Sequence, residues 1–146
     1  MPGRFRFLVS EAARQRLANV ADEGNKPKIM SAPCVVIVAY DLDFPSYMTL
    51  LHHMPESVGW WPTEEGRHYD GLRNSSLQGA YLMLAARAMG LDCGPMGGFD
   101  REAVDAEFFA GTRIKSNFII GLGHGSTEKL RPRAARLSFE QTSEIL

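Results

Sequence analysis

The sequence predicts one sandwich of strands and helices, of the α+β or α/β class, and three observations carry that prediction. Two short apolar runs, "CVVIVAY" at residues 34–40 and "SNFIIGLG" at residues 116–123, are too short for ordinary helices and read as strands buried on both faces. Between them, residues 70–89 repeat their apolar side chains at helical spacing. The 146 residues are 45% hydrophobic, enough for a single core, and no internal repeat or low-complexity linker divides them. One domain over residues 1–146 is expected.

The elements follow in order. "RFRFLV" at residues 4–9 alternates long and apolar side chains in the period of a strand, and Ser10 is placed to cap a helix running to about Val20. "GNKPKIMSAP", residues 24–33, reads as a loop punctuated by Pro27 and Pro33. The run at 34–40 then makes a central strand. From Asp41 to Asp70 the pattern breaks: "FPSYMTLLHHMP" has the makings of a short helix, and "ESVGWWPTEEGRHYD" mixes aromatics, charges and breakers as a surface excursion does. A lid or flap is expected there.

The next helix is expected to start at Asp70 or Asn74. Its stripe is Leu77, Ala80, Tyr81, Leu84, Ala85 and Ala88, while Leu82 and Met83 make it apolar on several sides, as suits a core or a subunit interface. Gly90 stops it. "DREAVDAEFF" reads as an amphipathic helix capped by Asp100, the second buried strand follows, and the tail from His124 is polar until "RLSFEQTSEIL".

Composition excludes several function classes. A formal net charge of −1 gives no reason to expect a nucleic-acid partner. No apolar stretch reaches the ~20 residues a bilayer span needs, and "MPGRFRFLVS" lacks the apolar centre of an export signal, so no membrane partner and a cytoplasmic location are expected. Cys34 and Cys93, without a signal peptide, fit a reducing compartment. His52 and His53 are adjacent, His68 and His124 isolated, and neither H-E-x-x-H nor C-x-x-C occurs, so no metal site is expected. Ser75, Ser76 and Ser126 stand in no nucleophile-elbow context. "GLGHGS" lacks the full phosphate-cradling glycine spacing. "HYDGLRNSSLQ" is polar enough to line a pocket, yet helix capping accounts for Asp70, Asn74 and the serines. No side chain reads as a catalytic acid, base or nucleophile.

"GLDCGPMGGFD", residues 90–100, holds four glycines and a proline in eleven residues. Such a cluster belongs where a backbone turns sharply or lies against something flat. This stretch, with "RNSSLQGAYLMLAARAM" before it and "VDAEFFAG", "KSNFIIGLGHG" and "RLSFE" after it, resembles the FMN-dependent nitroreductase family, and within it the branch of malonic semialdehyde reductases of pyrimidine degradation. The resemblance covers nearly the whole chain, and the motifs occur in the family order.

The resemblance implies a nitroreductase-like α+β fold, a three-layer α/β/α sandwich around a mostly antiparallel sheet. It implies a homodimeric flavoprotein with FMN as cofactor and NADH or NADPH as co-substrate. The acceptor would be a small aldehyde such as malonic semialdehyde, a nitroaromatic or a quinone. In the family the segment matching Pro95, Met96, Gly97 and Gly98 passes along the flavin ring, with the backbone N–H groups matching Gly97 and Gly98 facing its N5 and O4. Many relatives carry a larger residue at the position of Gly97, so only its backbone role transfers. The Asn-x-x-Lys motif matches Asn25 and Lys28, which would reach the pyrimidine edge of the flavin, where a fixed cation suits the charge of the reduced state. Arg136 and, in this branch, Arg133 match the basic residues that pair with the FMN phosphate. Ala134 stands where many relatives have lysine. The family also carries an N-terminal segment with an Arg-x-Ser phosphate-gripping motif ahead of the strand at 4–9. The chain is therefore expected to be an N-terminally truncated member that binds FMN weakly, the alternative being a catalytically silent remnant that survives as a binding or dimerisation partner.

Overall fold

The computed structural model describes residues 2–128 and 130–146. Its centre is a four-stranded sheet of β1 (Gly3–Leu8), β2 (Cys34–Asp41), β3 (Asp92–Met96) and β4 (Ile114–Gly123), in the order β1-β2-β4-β3 with every neighbouring pair antiparallel. The two apolar runs are the two inner strands, which is why they carry no polar alternation. Val35, Ile37 and Ala39 point to one face of the sheet, Val36 and Val38 to the other, and all five are fully buried.

Each face is covered by helices. On the first lie α1 (Glu11–Asn19), α2 (Lys26–Ser31) and α5 (Arg101–Phe109), which bring Leu17, Ile29, Val104 and Phe108 onto Val35, Ile37 and Ile119. Ser10 caps α1 through Ala13 and Asp100 caps α5 through Ala103, as their side-chain oxygens allow. On the second face lies α4 (Glu64–Ala88), with Leu82, Met83 and Ala86 packed towards Val36, Ile120 and Leu122. The result is the three-layer α/β/α sandwich expected.

Three local expectations are corrected. The stretch 24–33 is not a loop throughout: Lys26–Ser31 is helical. Pro27 is tolerated in the first turn, where its missing N–H would have had no partner, and the fully buried Ile29 anchors the turn. The long helix starts at Glu64 instead of Asp70 or Asn74, because Thr63 accepts the Gly66 N–H and Glu64 and Glu65 complement the helix dipole. Asp70, Asn74 and the serines are thus interior to α4 and cap nothing. The Asn74 amide donates to the Asp70 carbonyl, and Ser75 and Ser76 accept from the Asn117 amide at 2.9 Å each. Asp92–Met96, placed in a glycine-rich loop by its composition, is an edge strand paired with β4.

The excursion from Asp41 to Thr63 folds as two 3₁₀ turns, Phe44–Tyr47 and Pro55–Trp60, with the short helix α3 (Met48–Leu51) between them. Phe44 and Trp61 meet edge to face at 4.8 Å within it, and the Trp61 indole N–H donates to Asp70 of α4, which ties it to the body of the protein. Beyond β4, the described residues of the tail include the short helix α6 (Phe139–Thr142).

Candidate functional site

The exit of α1 and the segment after β3 are stitched together. The Asp22 N–H donates to the Gly98 carbonyl at 3.1 Å, the Asp100 N–H to the Val20 carbonyl at 2.9 Å, and Ala21 and Phe99 form an isolated antiparallel bridge. Asn25 then turns the chain into α2 and sends its side chain back: Nδ2 donates to the same Gly98 carbonyl at 3.0 Å. Lys28 lies one helical turn further on, and its Nζ donates to Asn25 Oδ1 at 3.0 Å. Three residues drawn from two separate motifs, Asn25, Lys28 and Gly98, therefore form one chain of hydrogen bonds.

This geometry explains one glycine and frees another. A Cβ on Gly98 would fall 2.8 Å from Asn25 Nδ2 and closer still to the Asp22 carboxylate, so any side chain would displace one of them. The close approach that demands glycine is thus met within the protein itself. At Gly97 a Cβ would meet nothing within 4 Å. That position is exposed, and its side chain is unconstrained by the fold.

Beside this corner a groove of about 890 Å³ is lined by β3, the end of β4 and the segment between α2 and β2. Pro95, Met96, Leu122 and Pro33 give it apolar walls, Lys28 stands at one part of its rim, and His124, Ser126 and Thr127 line another. Lys28 is the single lysine or arginine among its described lining residues. The donor set suits a flat, mostly apolar ligand with an electron-rich edge.

At the far end of the same strand Asp92 joins three elements. Its Oδ2 accepts the Gly125 N–H at 2.7 Å, and its Oδ1 pairs with Arg87, whose guanidinium also reaches the Leu91 carbonyl at 3.1 Å. The Gly125 N–H, with Arg87 adding to it, holds the Asp92 carboxyl below its ordinary range. Burial pushes the thiol of Cys34 up, away from the reactive thiolate, with Arg14 opposing it weakly. Among the described residues no group of His, Cys, Asp and Glu could hold a metal ion.

Sequence reasoning missed Asp22 and Asp92. Asp22 has no motif signal, and its place against Gly98 emerges only when the two segments pair. Asp92 lies inside the quoted glycine cluster, where it passes for a turn residue. Of the expected site residues, the structure gathers Asn25, Lys28, Pro95, Met96, Gly97 and Gly98 on and beside the groove. Arg133 and Arg136 stand apart on the exposed tail, the Arg136 guanidinium donating to the carbonyls of Ala134 and Ala135.

A profile described as "Nitroreductase family" matches residues 5–124, more than three quarters of the chain. The chain belongs to the nitroreductase family. It is 54% identical over 146 residues to a protein of Caulobacter vibrioides named "Putative NADH dehydrogenase/NAD(P)H nitroreductase", with 99% of this chain and 75% of the relative aligned. Among solved structures, the "putative nitroreductase ydfN" of Bacillus subtilis superposes with a TM-score of 0.87 at 23% identity, covering 99% of this chain and 78% of that one. A nitroreductase structure from Exiguobacterium sibiricum described as "in complex with FMN" superposes with a TM-score of 0.79 at 22% identity, covering 99% and 77%. The nitroreductase fold, α+β with an antiparallel sheet between helices, is the fold of this chain. The family is one of oxidoreductases that use FMN and a reduced nicotinamide, and this member is an oxidoreductase.

Proposed function

We propose that this nitroreductase-family chain holds FMN against the segment 95–98 and beside Lys28, and uses it to reduce a small electrophile with NADH or NADPH. The observation that carries the reading is the hydrogen-bonded chain Lys28–Asn25–Gly98, which sets a cation and a loop backbone side by side at the end of an apolar groove. When bound, FMN supplies a two-electron hydride relay between a nicotinamide and an acceptor.

The protein residues supply position and charge. Pro95 and Met96 offer an apolar surface for a flat ring, and the exposed Gly97 leaves the backbone open to close approach. Lys28 places a positive charge where negative charge gathers on reduction. Asn25 holds that lysine. Arg133 and Arg136, which stand on the tail outside the groove lining, are assigned to the FMN phosphate by their match to the family alone. Asp92, the one carboxyl among the described groove residues, is held ionised by Gly125 and Arg87 and is no proton donor. The proton that completes reduction of the acceptor comes from water.

The acceptor is malonic semialdehyde, by resemblance to one branch of the family, or otherwise a nitroaromatic or quinone. The working unit is one domain paired with a second copy. Tyr69, Leu72, Leu77, Tyr81 and Leu84 are exposed along α4, an apolar surface of the kind a second copy covers. No helix of the described residues is long and apolar enough to cross a membrane, and reduced nicotinamide is a cytoplasmic supply.

Titration of the purified protein with FMN, followed by NADH and NADPH oxidation with each acceptor class, tests the reading. Saturable quenching of flavin fluorescence and acceptor-dependent oxidation are expected. A protein that leaves flavin fluorescence unchanged overturns it.

A further inference from the structure

We infer that the excursion between β2 and α4 is a strap that opens as one unit, and that Arg113, just ahead of β4, is the latch that holds it shut. The strap carries its own small aromatic centre. Phe44 packs edge to face on Trp61 at 4.8 Å and His52 on Trp60 at 4.9 Å, while the two 3₁₀ turns and α3 lean mainly on one another. Neither of the apolar clusters that cover the two faces of the sheet includes a residue of 42–63. A segment joined so thinly to the core opens before the core does.

Its links to the body are largely polar. Arg113 spans both feet of the strap: one guanidinium nitrogen donates to Asp43 Oδ1 at 3.3 Å, where the chain leaves the sheet, and the other to Glu64 Oε2 at 2.8 Å, where it enters α4. The planar fork of donors lets one side chain hold two carboxylates at once. The Trp61 indole N–H donates to Asp70, the Arg67 guanidinium to the Trp61 carbonyl at 3.0 Å, and Arg4 of β1 lies over the Tyr47 ring at 5.3 Å. Arg113, Asp43 and Glu64 are all open to solvent, so dissolved salt weakens the latch and sets how often the strap opens.

Two probes read the opening in the whole chain. Trp60 and Trp61 are its two tryptophans, so acrylamide quenching of indole fluorescence reports the strap alone. The N–H groups of Ser46, His52 and Ser57, bonded to the carbonyls of Asp43, Met48 and Met54, report one from each of its three elements by hydrogen exchange. These three are expected to share one opening equilibrium and to be protected about a hundredfold less than the Ile37 amide of β2. Arg113→Gln is expected to speed all three about threefold, the scale of an exposed ion pair, to raise the quenching, and to leave Ile37 unmoved. Adding Asp43→Asn to it is expected to change nothing further, since Asp43 acts through the arginine. Added salt is expected to speed strap exchange in the parent and to do so less in Arg113→Gln. Amides that open independently, a strap as protected as Ile37, variant effects that add, or an equal salt response in the two proteins overturns the inference. If Arg113→Gln fails to fold, the shared opening of the three amides and its salt response in the parent decide the matter.

Discussion

The Asp92 carboxylate accepts the Gly125 N–H at 2.7 Å, which ties the first residue of β3 to the chain just beyond β4, while Arg87 joins the same carboxylate to the end of α4. The folded protein holds this carboxyl below its ordinary value of 3.8. A depressed carboxyl pKa contributes stability that is complete above the unfolded value and is lost as pH falls through the folded one. Asp92→Asn is therefore expected to lower the denaturation midpoint at neutral pH and to narrow its distance from the parent in acid. Urea titrations at the two conditions check this, and an equal difference at both would remove the charge from the explanation.

Gly98→Val is expected to destabilise the fold by about 1–3 kcal/mol, because its Cβ must displace Asp22 or Asn25. Gly97→Ala, one residue away, meets open space and is expected to change stability by less than about 0.5 kcal/mol. Thermal unfolding of the pair reads the contrast. If Gly98→Val also loosens FMN binding while Gly97→Ala does not, the segment bears on both.

Lys28→Met is expected to make the bound flavin harder to reduce. The side chain is exposed before flavin covers it, so solvent screening keeps the effect to about 1 kcal/mol, near 20 mV for a two-electron couple. Equilibrium redox titration measures it, and a shift that shrinks with added salt is the signature of a screened charge.

Tyr81→Glu with Leu84→Glu places two carboxylates on the outer side of α4, where both parent side chains are more than 60% exposed. Sedimentation velocity is expected to show a parent dimer turned to monomer. A parent that sediments as a monomer at all concentrations refutes the pairing through α4.

Local chemistry was enough to read much of the fold. Ser10 and Asp100 cap the helices their positions announced, and the runs around Ile37 and Ile119 are the inner strands. What escaped depended on distant partners. Lys26–Ser31 is helical because Ile29 finds a core, and a proline next to two lysines carries no sign of that. The edge strand Asp92–Met96 owes its conformation to pairing with β4, which overrides the turn preference of glycine and proline. At the site, the motif resemblance placed Asn25 and Lys28 near the loop, but not the carbonyl that joins them. Gly98, read from the sequence as a close approach to a ligand, also leaves room for Asp22 and Asn25.

Gly71, Ser75 and Gly79 recur every fourth residue on the buried side of α4, against Tyr40, Asn117 and Phe118. A methyl group at Gly71 would fall within 3.1 Å of the Tyr40 ring, and one at Gly79 within 3.0 Å of Phe118. The helix thus sets three small residues where it crosses Tyr40, Asn117 and Phe118, and packs Leu82 and Met83 inward nearer its end. Random drift in this segment meets an unusual filter: the smallest possible enlargement is rejected at the buried positions, whereas large aliphatic and aromatic exchanges pass on the outer side. Across many sequences, α4 should vary least at Gly71, Ser75 and Gly79.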